Sequence, residues 1–281
     1  MNLGKYLFVH LSILSLSGCG TFVPDLRDWP NNATDAQSEA MVQGIVRAIR
    51  CELRNAVTAT VDADIRSAEE NKTAPSSEFL NNWGAEVALT LTVSEKTNIA
   101  PDFSWTPPAS SANIFTLAGG IGGSAEATRI EKMNFFYTIR DLYLRSGERC
   151  EFKRDPSLGS LLIVSDLKIG SVLNSRINAT ALGQAPGPSE GKQNVLSHQV
   201  TFEVVSAANL NLAWTLERAS INPAGDLFST NRHRTHDLLV TFGPLDGAQN
   251  GQSLIAIAEQ SHTTSQIASG VASGFRTALF R

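Results

Sequence analysis

The apolar residues that follow Thr34 recur every three to four positions, which is the spacing of one face of an α-helix. Thr34 and Gln37 have the spacing of a capping box, in which each side chain satisfies a backbone N–H group at the helix start. The pattern predicts a long helix from residue 34 to about Asp62 or beyond. Its buried stripe consists of Val42, Ile45, Ile49, Leu53 and Val57.

After Trp83 the period changes from helical to two, which is typical of a strand with one buried face. A glycine-rich segment at 118–123 predicts a turn, and the returning strand leads into a helix that ends near residue 147. The predicted strands lie at 87–93, 114–117, 127–137, 200–204, 210–216 and 238–242.

The apolar segment 158–173 fits either a strand or a helix. Residues 174–194, which include a run of Gly, Pro, Ala and Ser, predict a linker or long surface loop. A narrow apolar stripe then predicts a C-terminal helix packed on a sheet: Ile257, Ile267, Val271 and Phe275. The chain thus divides into a helix with a first β region (34–173), the linker, and a second β region with the C-terminal helix (195–281).

The two β regions share a rough plan. Each has an alternating strand, a tryptophan (Trp105 or Trp214), a turn containing glycine and an arginine (Arg129 or Arg234). A diverged duplication that builds two similar β halves and a chance similarity of two hairpins both fit this plan. The predicted fold class is α+β, an antiparallel sheet with a long N-terminal helix and a C-terminal helix.

Composition agrees with a folded body, since 42% of the residues are hydrophobic and 18% are charged. The formal net charge of −4 gives no electrostatic footprint for nucleic acid and no polybasic patch for lipid. Gly120 and Gly122 have the Gly-x-Gly spacing with which the dinucleotide-binding motif begins. That motif needs a helix directly after the glycines, whereas the segment that follows here is predicted to be the second strand of a hairpin. No cofactor and no metal are therefore expected.

The first residues have the features of a secretory leader, with Lys5 before an apolar run at 7–16 that is too short to span a bilayer. Leu16-Ser17-Gly18-Cys19 follows directly and matches a lipobox at all four positions. The chain therefore resembles bacterial lipoprotein precursors. That resemblance implies a signal peptide at 1–18, lipidation and acylation at Cys19, and a lipidated tether at 19–33.

The resemblance implies attachment to a membrane of the cell envelope. Gly20 favours the periplasmic face of the outer membrane under the sorting rule of enteric bacteria, and the inner membrane is the alternative. The body resembles the many uncharacterised envelope lipoproteins of proteobacteria, so the likeness implies a location and no activity.

Two further cysteines, Cys51 and Cys150, fit a disulfide in an oxidising compartment. Cys51 falls off the apolar stripe of its helix, where a cysteine used only as a small core residue should lie. The alternative is two separate thiols.

The candidate ligand contacts are polar residues at predicted strand ends. Arginine forks suit carboxylate and phosphate groups, which singles out Arg129, Arg232 and Arg234. His233 and His236 lie beside them. The alternative is that these arginines pair with local acids. A strand would point the two imidazoles to opposite faces, so no metal site is predicted.

No coherent catalytic cluster is present, so the leading hypothesis is a non-enzymatic lipoprotein. It would act as a structural or accessory subunit of a membrane-associated assembly, with the membrane and an envelope protein as partners. One alternative is a periplasmic hydrolase that uses His233, His236 or His262. A second is a small-molecule-binding lipoprotein with its site between the β regions.

Overall fold

The structure is a computed structural model. It describes residues 23–27, 34–107, 115–144, 150, 154–185, 195–215, 219–222 and 227–279. The predicted signal peptide and Cys19 lie outside these residues. The fold is α+β, with two antiparallel sheets and helices at both ends of the described chain.

The first helix, α1 (Asp35–Asn71), begins with the predicted capping box. Thr34 N donates to Gln37 Oε1 at 3.3 Å, and the reciprocal bond from the Gln37 backbone N–H to the Thr34 side chain is also present. The helix continues past Asp62 and ends where Lys72 adopts a left-handed conformation. Four residues of the predicted stripe are at most 2% exposed: Ile45, Ile49, Leu53 and Val57.

Four long strands form one sheet in the order β4-β1-β8-β5. The strands are β1 (Trp83–Ile99), β4 (Gly123–Thr138), β5 (Leu196–Leu210) and β8 (Phe228–Pro244). Four short strands form a second sheet in the order β3-β2-β7-β6. They are β2 (Asp102–Trp105), β3 (Leu117–Gly120), β6 (Trp214–Thr215) and β7 (Ala219–Ile221). Of the strand predicted at 210–216, Leu210 ends β5 and Trp214–Thr215 form β6, while residue 216 lies outside the described residues.

Each half of the chain contributes two long and two short strands, and both halves arrange them in the same order. The long-strand order β4-β1-β8-β5 places the last long strand of each half beside the first, and the short-strand order β3-β2-β7-β6 places the second short strand of each half beside the first. A tandem duplication would produce this repeated order. The strand order therefore fits the hypothesis of two similar β halves.

The chain folds into two compact units. Unit 1 comprises Met1–Pro24, Val93–Arg129 and Val204–Arg234, and it contains the short-strand sheet. Unit 2 comprises Asp25–Thr92, Ile130–Glu203 and Thr235–Arg281. Unit 2 contains the helices and a core built on α1, β1 and β8, in which Leu89, Val240 and Phe242 are fully buried. These units interleave along the chain, since each is built from three separate segments.

The helices that pack against α1 are α2 (Ile139–Leu144), α3 (Leu161–Val164) and α4 (Ile169–Ala181). The ambiguous segment 158–173 is thus largely helical. Residues 174–181, predicted as part of the linker, also belong to α4. Leu173 and Ile177 are buried there, because their spacing of four places both on the face toward α1. Residues 186–194 of the predicted linker lie outside the described residues.

The C-terminal helix, α5 (Ala256–Leu279), is present, but it does not pack through its predicted stripe. Ile257, Ile267 and Val271 are 42%, 63% and 52% exposed, whereas Ala258 and His262 are buried. The reason is close approach: a Cβ added to Gly243 on β8 would lie 2.7 Å from the Ala258 Cβ atom. Small residues allow the helix to contact the sheet, and Ile257, Ile267 and Val271 face outward. The side chain of Phe275, the fourth residue of the predicted stripe, lies outside the described part of the structure.

Candidate functional site

The candidate ligand contacts divide between the two units. Arg129 lies on β4, and Arg232, His233 and Arg234 lie on β8, all within unit 1. His236 lies farther along β8, in unit 2. Because alternate residues of a strand point to opposite faces, His233 points away from Arg232, Arg234 and His236. The five residues therefore do not converge on one site.

One arginine of β8, Arg232, forms an ion pair within the long-strand sheet, and a second, Arg234, is buried. Arg232 forms an ion pair with Glu95 of β1, the neighbouring strand, and the two side chains are 22% and 37% exposed. Arg234 is buried, at 7% exposure. For Arg232 this is the alternative stated from the sequence, in which a strand arginine pairs with an acid of the protein. The ion pair leaves the Arg232 fork less available to an external anion.

His236 is part of a buried structural contact. Its Nδ1 atom and the Ser160 Oγ atom share a hydrogen bond of 2.8 Å, and the two residues are 2% and 5% exposed. Ser160 also caps α3, since its Oγ accepts the backbone N–H of Leu162. The contact joins β8 to α3. No substrate could reach this Ser–His pair without opening the core, so the pair is unsuited to hydrolysis.

His262 occupies a second buried position, between α5 and the long-strand sheet. Its Nδ1 atom lies 2.8 Å from Thr241 Oγ1, and Gln266 Nε2 lies 3.1 Å from its Nε2 atom. Gln266 can only donate through this nitrogen, so Nε2 accepts and Nδ1 carries the proton that Thr241 accepts. Burial lowers the pKa of His262, which keeps the imidazole neutral. The arrangement fixes the helix on the sheet.

The free energy of unfolding should fall as the pH drops below about 6.5, the ordinary pKa of a histidine. The unfolded chain then binds a proton at position 262 that the folded protein does not, so stability is lost on acidification and returns above that pH. One titrating group can contribute at most about 1.4 kcal/mol per pH unit.

Glu86, whose Oε1 lies 3.8 Å from His262 Nε2, acts in the opposite direction. Burial and then the charge of Glu259 raise its pKa, so the folded state gains a proton there early as the pH falls. Denaturant unfolding at several pH values should therefore compare the wild type with His262→Gln. The variant should lose less stability between pH 7.5 and 5.5, and equal losses would contradict this assignment.

Asp237 provides a second attachment of α5 to the long-strand sheet, in addition to His262. Its carboxylate accepts from Thr201 Oγ1 at 2.7 Å, from Gln199 Nε2 at 2.9 Å and from Ser269 Oγ at 2.6 Å. Side chains of one strand, β5, and of the helix α5 thus converge on a single acid of β8. Asp237, which directly follows the candidate contact His236, is thus used for internal attachment.

Cys51 and Cys150 are joined in the disulfide expected from the sequence, with their Cα atoms 5.3 Å apart. The bond borders a cavity of about 830 Å³ that opens among α1, α3 and α4. Glu52 lines this cavity. Burial raises the pKa of its carboxyl, while hydrogen bonds from the backbone N–H groups of Leu167 and Ile169 oppose that rise. Glu52 thereby ties α1 to the start of α4.

The cavity is lined mainly by helices, so it does not lie where the hypothesis of a small-molecule-binding lipoprotein places its binding site. That hypothesis puts a ligand between the β regions, whereas the cavity lining comes from α1, α3, α4 and the segments beside them. Its charged residues also have partners within the protein: Lys168 Nζ lies 2.6 Å from Asp166 Oδ2, and Arg154 donates to the Val164 carbonyl at 3.1 Å.

The short-strand sheet has one strongly apolar and exposed face. Trp105 is directly opposite Leu117 on β3, and Phe103 is directly opposite Ile221 on β7, so all four side chains share one side of the sheet. Their exposures are 46% for Leu117, 45% for Trp105, and 48% for both Phe103 and Ile221. We call these four residues the apolar face.

Gly119 allows a close contact within the apolar face. It is opposite Phe103 in the register, and a Cβ added there would lie 2.9 Å from Phe103 Cε1. The aromatic ring therefore rests over the glycine, which fixes its position without burying it. The glycine pair 119–120, predicted as part of a turn, belongs to strand β3 instead, and β4 begins at Gly123 in the other sheet.

Sequence reasoning missed the apolar face as a unit, although part of the signal was present. The alternation Phe103-x-Trp105 places two aromatic residues on one side of a strand. Ile221, more than a hundred positions away, gives no local sign that it joins them.

Sequence reasoning also missed Ser160, the hydrogen-bond partner of His236. Its role as a helix cap could have been detected, because a serine that directly precedes an apolar run is a typical N-cap.

The described residues contain neither a cluster of metal ligands nor a membrane-spanning helix. No group of three or more His, Cys, Asp or Glu side chains in this part of the chain could hold a metal ion. Among the helices that the structure describes, none is both long and apolar enough to cross a membrane.

Comparison with known proteins gives no family. No protein-family model matches this sequence, and no curated protein shows significant similarity to it. Among solved structures, the secretin InvG of the Salmonella SPI-1 type III secretion injectisome, in its open gate state, matches at 9% sequence identity. The match has a TM-score of 0.15 and covers 66% of this chain and 66% of that chain. Similarity at that TM-score carries no argument about function.

Proposed function

We propose that this protein is a lipid-anchored envelope lipoprotein that acts as a structural or accessory subunit of a membrane-associated assembly. The lipobox Leu16-Ser17-Gly18-Cys19 supports the anchor. The disulfide between Cys51 and Cys150 fits an oxidising compartment such as the periplasm. The periplasmic face of the outer membrane is the proposed location, because Gly20 follows the lipidated cysteine.

The observation that carries the role as a subunit is the apolar face. It places four large apolar side chains side by side on one sheet, each about half exposed. Clustered exposed residues of this kind mark interaction sites, unlike scattered single ones. Tryptophan and other aromatic residues also contribute disproportionately to the binding energy of protein interfaces.

The proposed occupant of the apolar face is another envelope protein. An amphipathic surface that binds anionic lipid combines apolar residues with lysine or arginine. The strands β2, β3, β6 and β7 contain no lysine or arginine, and their single charged residue is Asp102. A protein surface with complementary apolar residues fits this composition better than a bilayer does.

Replacing the two aromatic residues, Phe103→Ser with Trp105→Ser, should abolish partner binding while leaving the protein folded. Loss of a central aromatic residue costs about 2 kcal/mol or more, which is roughly 30-fold in affinity for each side chain. Affinity purification from cross-linked envelopes measures the partner, and thermal unfolding verifies the fold.

Leu182→Ser is the matched control, because Leu182 is a 71% exposed apolar residue at the end of α4. The control should retain the same stoichiometric partner as the wild type. A partner that the double variant also retains would contradict docking through the apolar face. Failure of the wild type, the double variant and the Leu182→Ser control to capture any partner would also contradict docking through the apolar face.

The hydrolase alternative gains no support from the geometry. Two of its three candidate histidines, His236 and His262, are each 2% exposed and hydrogen-bonded within the core. We therefore do not propose a hydrolytic activity.

A further inference from the structure

A second cavity, of about 430 Å³, opens at the C-terminal end of β4, an edge strand of the long-strand sheet. Its described lining comes from residues 136–138 of β4, 141–142 of α2, 251–252 of the loop before α5, and Arg50 of α1. We call it the β4 cavity. These residues all belong to unit 2, so the cavity shares none with the apolar face. Its volume lies in the range of small-molecule sites in proteins.

One part of the lining of the β4 cavity is apolar and held in place. The Phe136 ring packs closely on β1, since a Cβ added to Gly84 would lie 2.8 Å from Phe136 Cζ. Leu142 of α2, which is only 4% exposed, also contributes to the lining. The cavity therefore has an apolar wall that is formed by the fold itself.

The polar part of the lining offers hydrogen-bond donors. Arg50 is exposed, and within the described part of the chain neither its guanidinium nor the Tyr137 hydroxyl has a hydrogen-bond partner. Burial raises the pKa of Tyr137 and the charge of Arg50 opposes that rise, so the phenol keeps its proton close to the guanidinium. Thr138 Oγ1 accepts the Asp141 backbone N–H at 3.0 Å, which leaves the Thr138 hydroxyl proton available to donate.

Donors beside an apolar wall suit an anion that carries an apolar group. The planar fork of an arginine matches the two oxygens of a carboxylate. A phosphate group carries a charge of about −1.5 to −2 at neutral pH, whereas the described lining holds one arginine and one acid, Asp141. A single negative charge, as on a carboxylate, therefore fits the β4 cavity better than a phosphate does.

We propose that the β4 cavity binds a small carboxylic acid with an apolar ring or chain. The carboxylate accepts hydrogen bonds from the Arg50 guanidinium and the Tyr137 hydroxyl, and the apolar group packs against Phe136 and Leu142. The Thr138 hydroxyl is a third donor. This site is additional to docking through the apolar face and depends neither on that docking nor on the lipid anchor.

The test measures the binding of two probes, benzoate and hexanoate, to the full-length protein by isothermal titration calorimetry. Benzamide and hexanamide are the matched control ligands, because they keep the apolar group and lack the charge. Arg50→Gln removes the fork, and Tyr137→Phe removes only the hydroxyl. Arg47→Gln is the control variant, since Arg47 is exposed on the same helix and does not line the cavity. Thermal unfolding verifies that each variant is folded.

The wild type should bind at least one of the two acids, and more tightly than the corresponding amide. Arg50→Gln should weaken the binding of that acid roughly tenfold and Tyr137→Phe roughly fivefold, because hydrogen bonds to charged groups are lost. Asp141→Asn should strengthen binding, since it removes a like charge, and Arg47→Gln should leave it unchanged. The proposal is overturned if the wild type binds neither acid, binds acid and amide equally, or is affected equally by Arg50→Gln and Arg47→Gln.

Discussion

Cys19→Ala should release the protein from the membrane almost completely. Burial of an acyl chain contributes about 0.8 kcal/mol per methylene, and one chain binds only marginally, so stable attachment depends on the two or more chains that lipoprotein processing supplies. The described part of the chain offers no helix that could replace them. Fractionation of envelopes measures the effect, as the share of the protein that sediments with membranes.

Ser17→Ala is the control for this experiment, because it keeps a small residue in the lipobox and leaves Cys19 in place. That variant should stay with the membrane fraction. A Cys19→Ala protein that still sediments quantitatively with membranes would contradict the anchor.

The second large effect is on stability. The double variant Cys51→Ala with Cys150→Ala should lose about 4–5 kcal/mol of unfolding free energy in the chain-entropy model, because the bond closes a loop with a sequence separation of 99. The bond connects α1 to the segment that borders the cavity, so its loss should also loosen α3 and α4 around Glu52. Denaturant unfolding gives the difference directly.

Reduction supplies an internal control. A thiol reductant should destabilise the wild type by a similar amount and leave the double variant unchanged. A variant as stable as the oxidised wild type would show that the disulfide contributes nothing to the fold.

The parts of the fold that the sequence predicts are those determined locally. The start of α1 follows from Thr34 and Gln37, and its buried face follows from residues spaced three and four apart. The central strands β1 and β8 follow from their alternating apolar residues. In each case the signal is contained within one element.

The parts that it does not predict depend on contacts between distant elements. The stripe of α5 is exposed because Gly243, fifteen positions before Ala258, lets the helix approach the sheet through small residues. Leu26 gives no local sign that it is buried, and its neighbour Arg27 donates to the Ser157 carbonyl oxygen across 130 positions of sequence. The hydrophobic periodicity of one element contains no information about its contacts with residues of a distant element.

The candidate site shows the same division. Residue chemistry directed attention to the arginines and histidines of β8, yet Arg232 pairs with Glu95 and His236 with Ser160. The apolar face is visible only once the register of three strands is known, because Trp105 and Leu117 belong to different strands. Its exposure, rather than its residue types, distinguishes it from an ordinary core.

The central claim is that a lipid-anchored body docks an envelope protein through the apolar face, and site-specific photo-crosslinking in intact envelopes tests it most directly. A photoreactive side chain at position 105 points out from the apolar face, and one at position 104 points to the opposite side of the same strand. The account predicts one discrete adduct from position 105 and none from position 104. Equal adducts from both positions, or none from position 105, would contradict it.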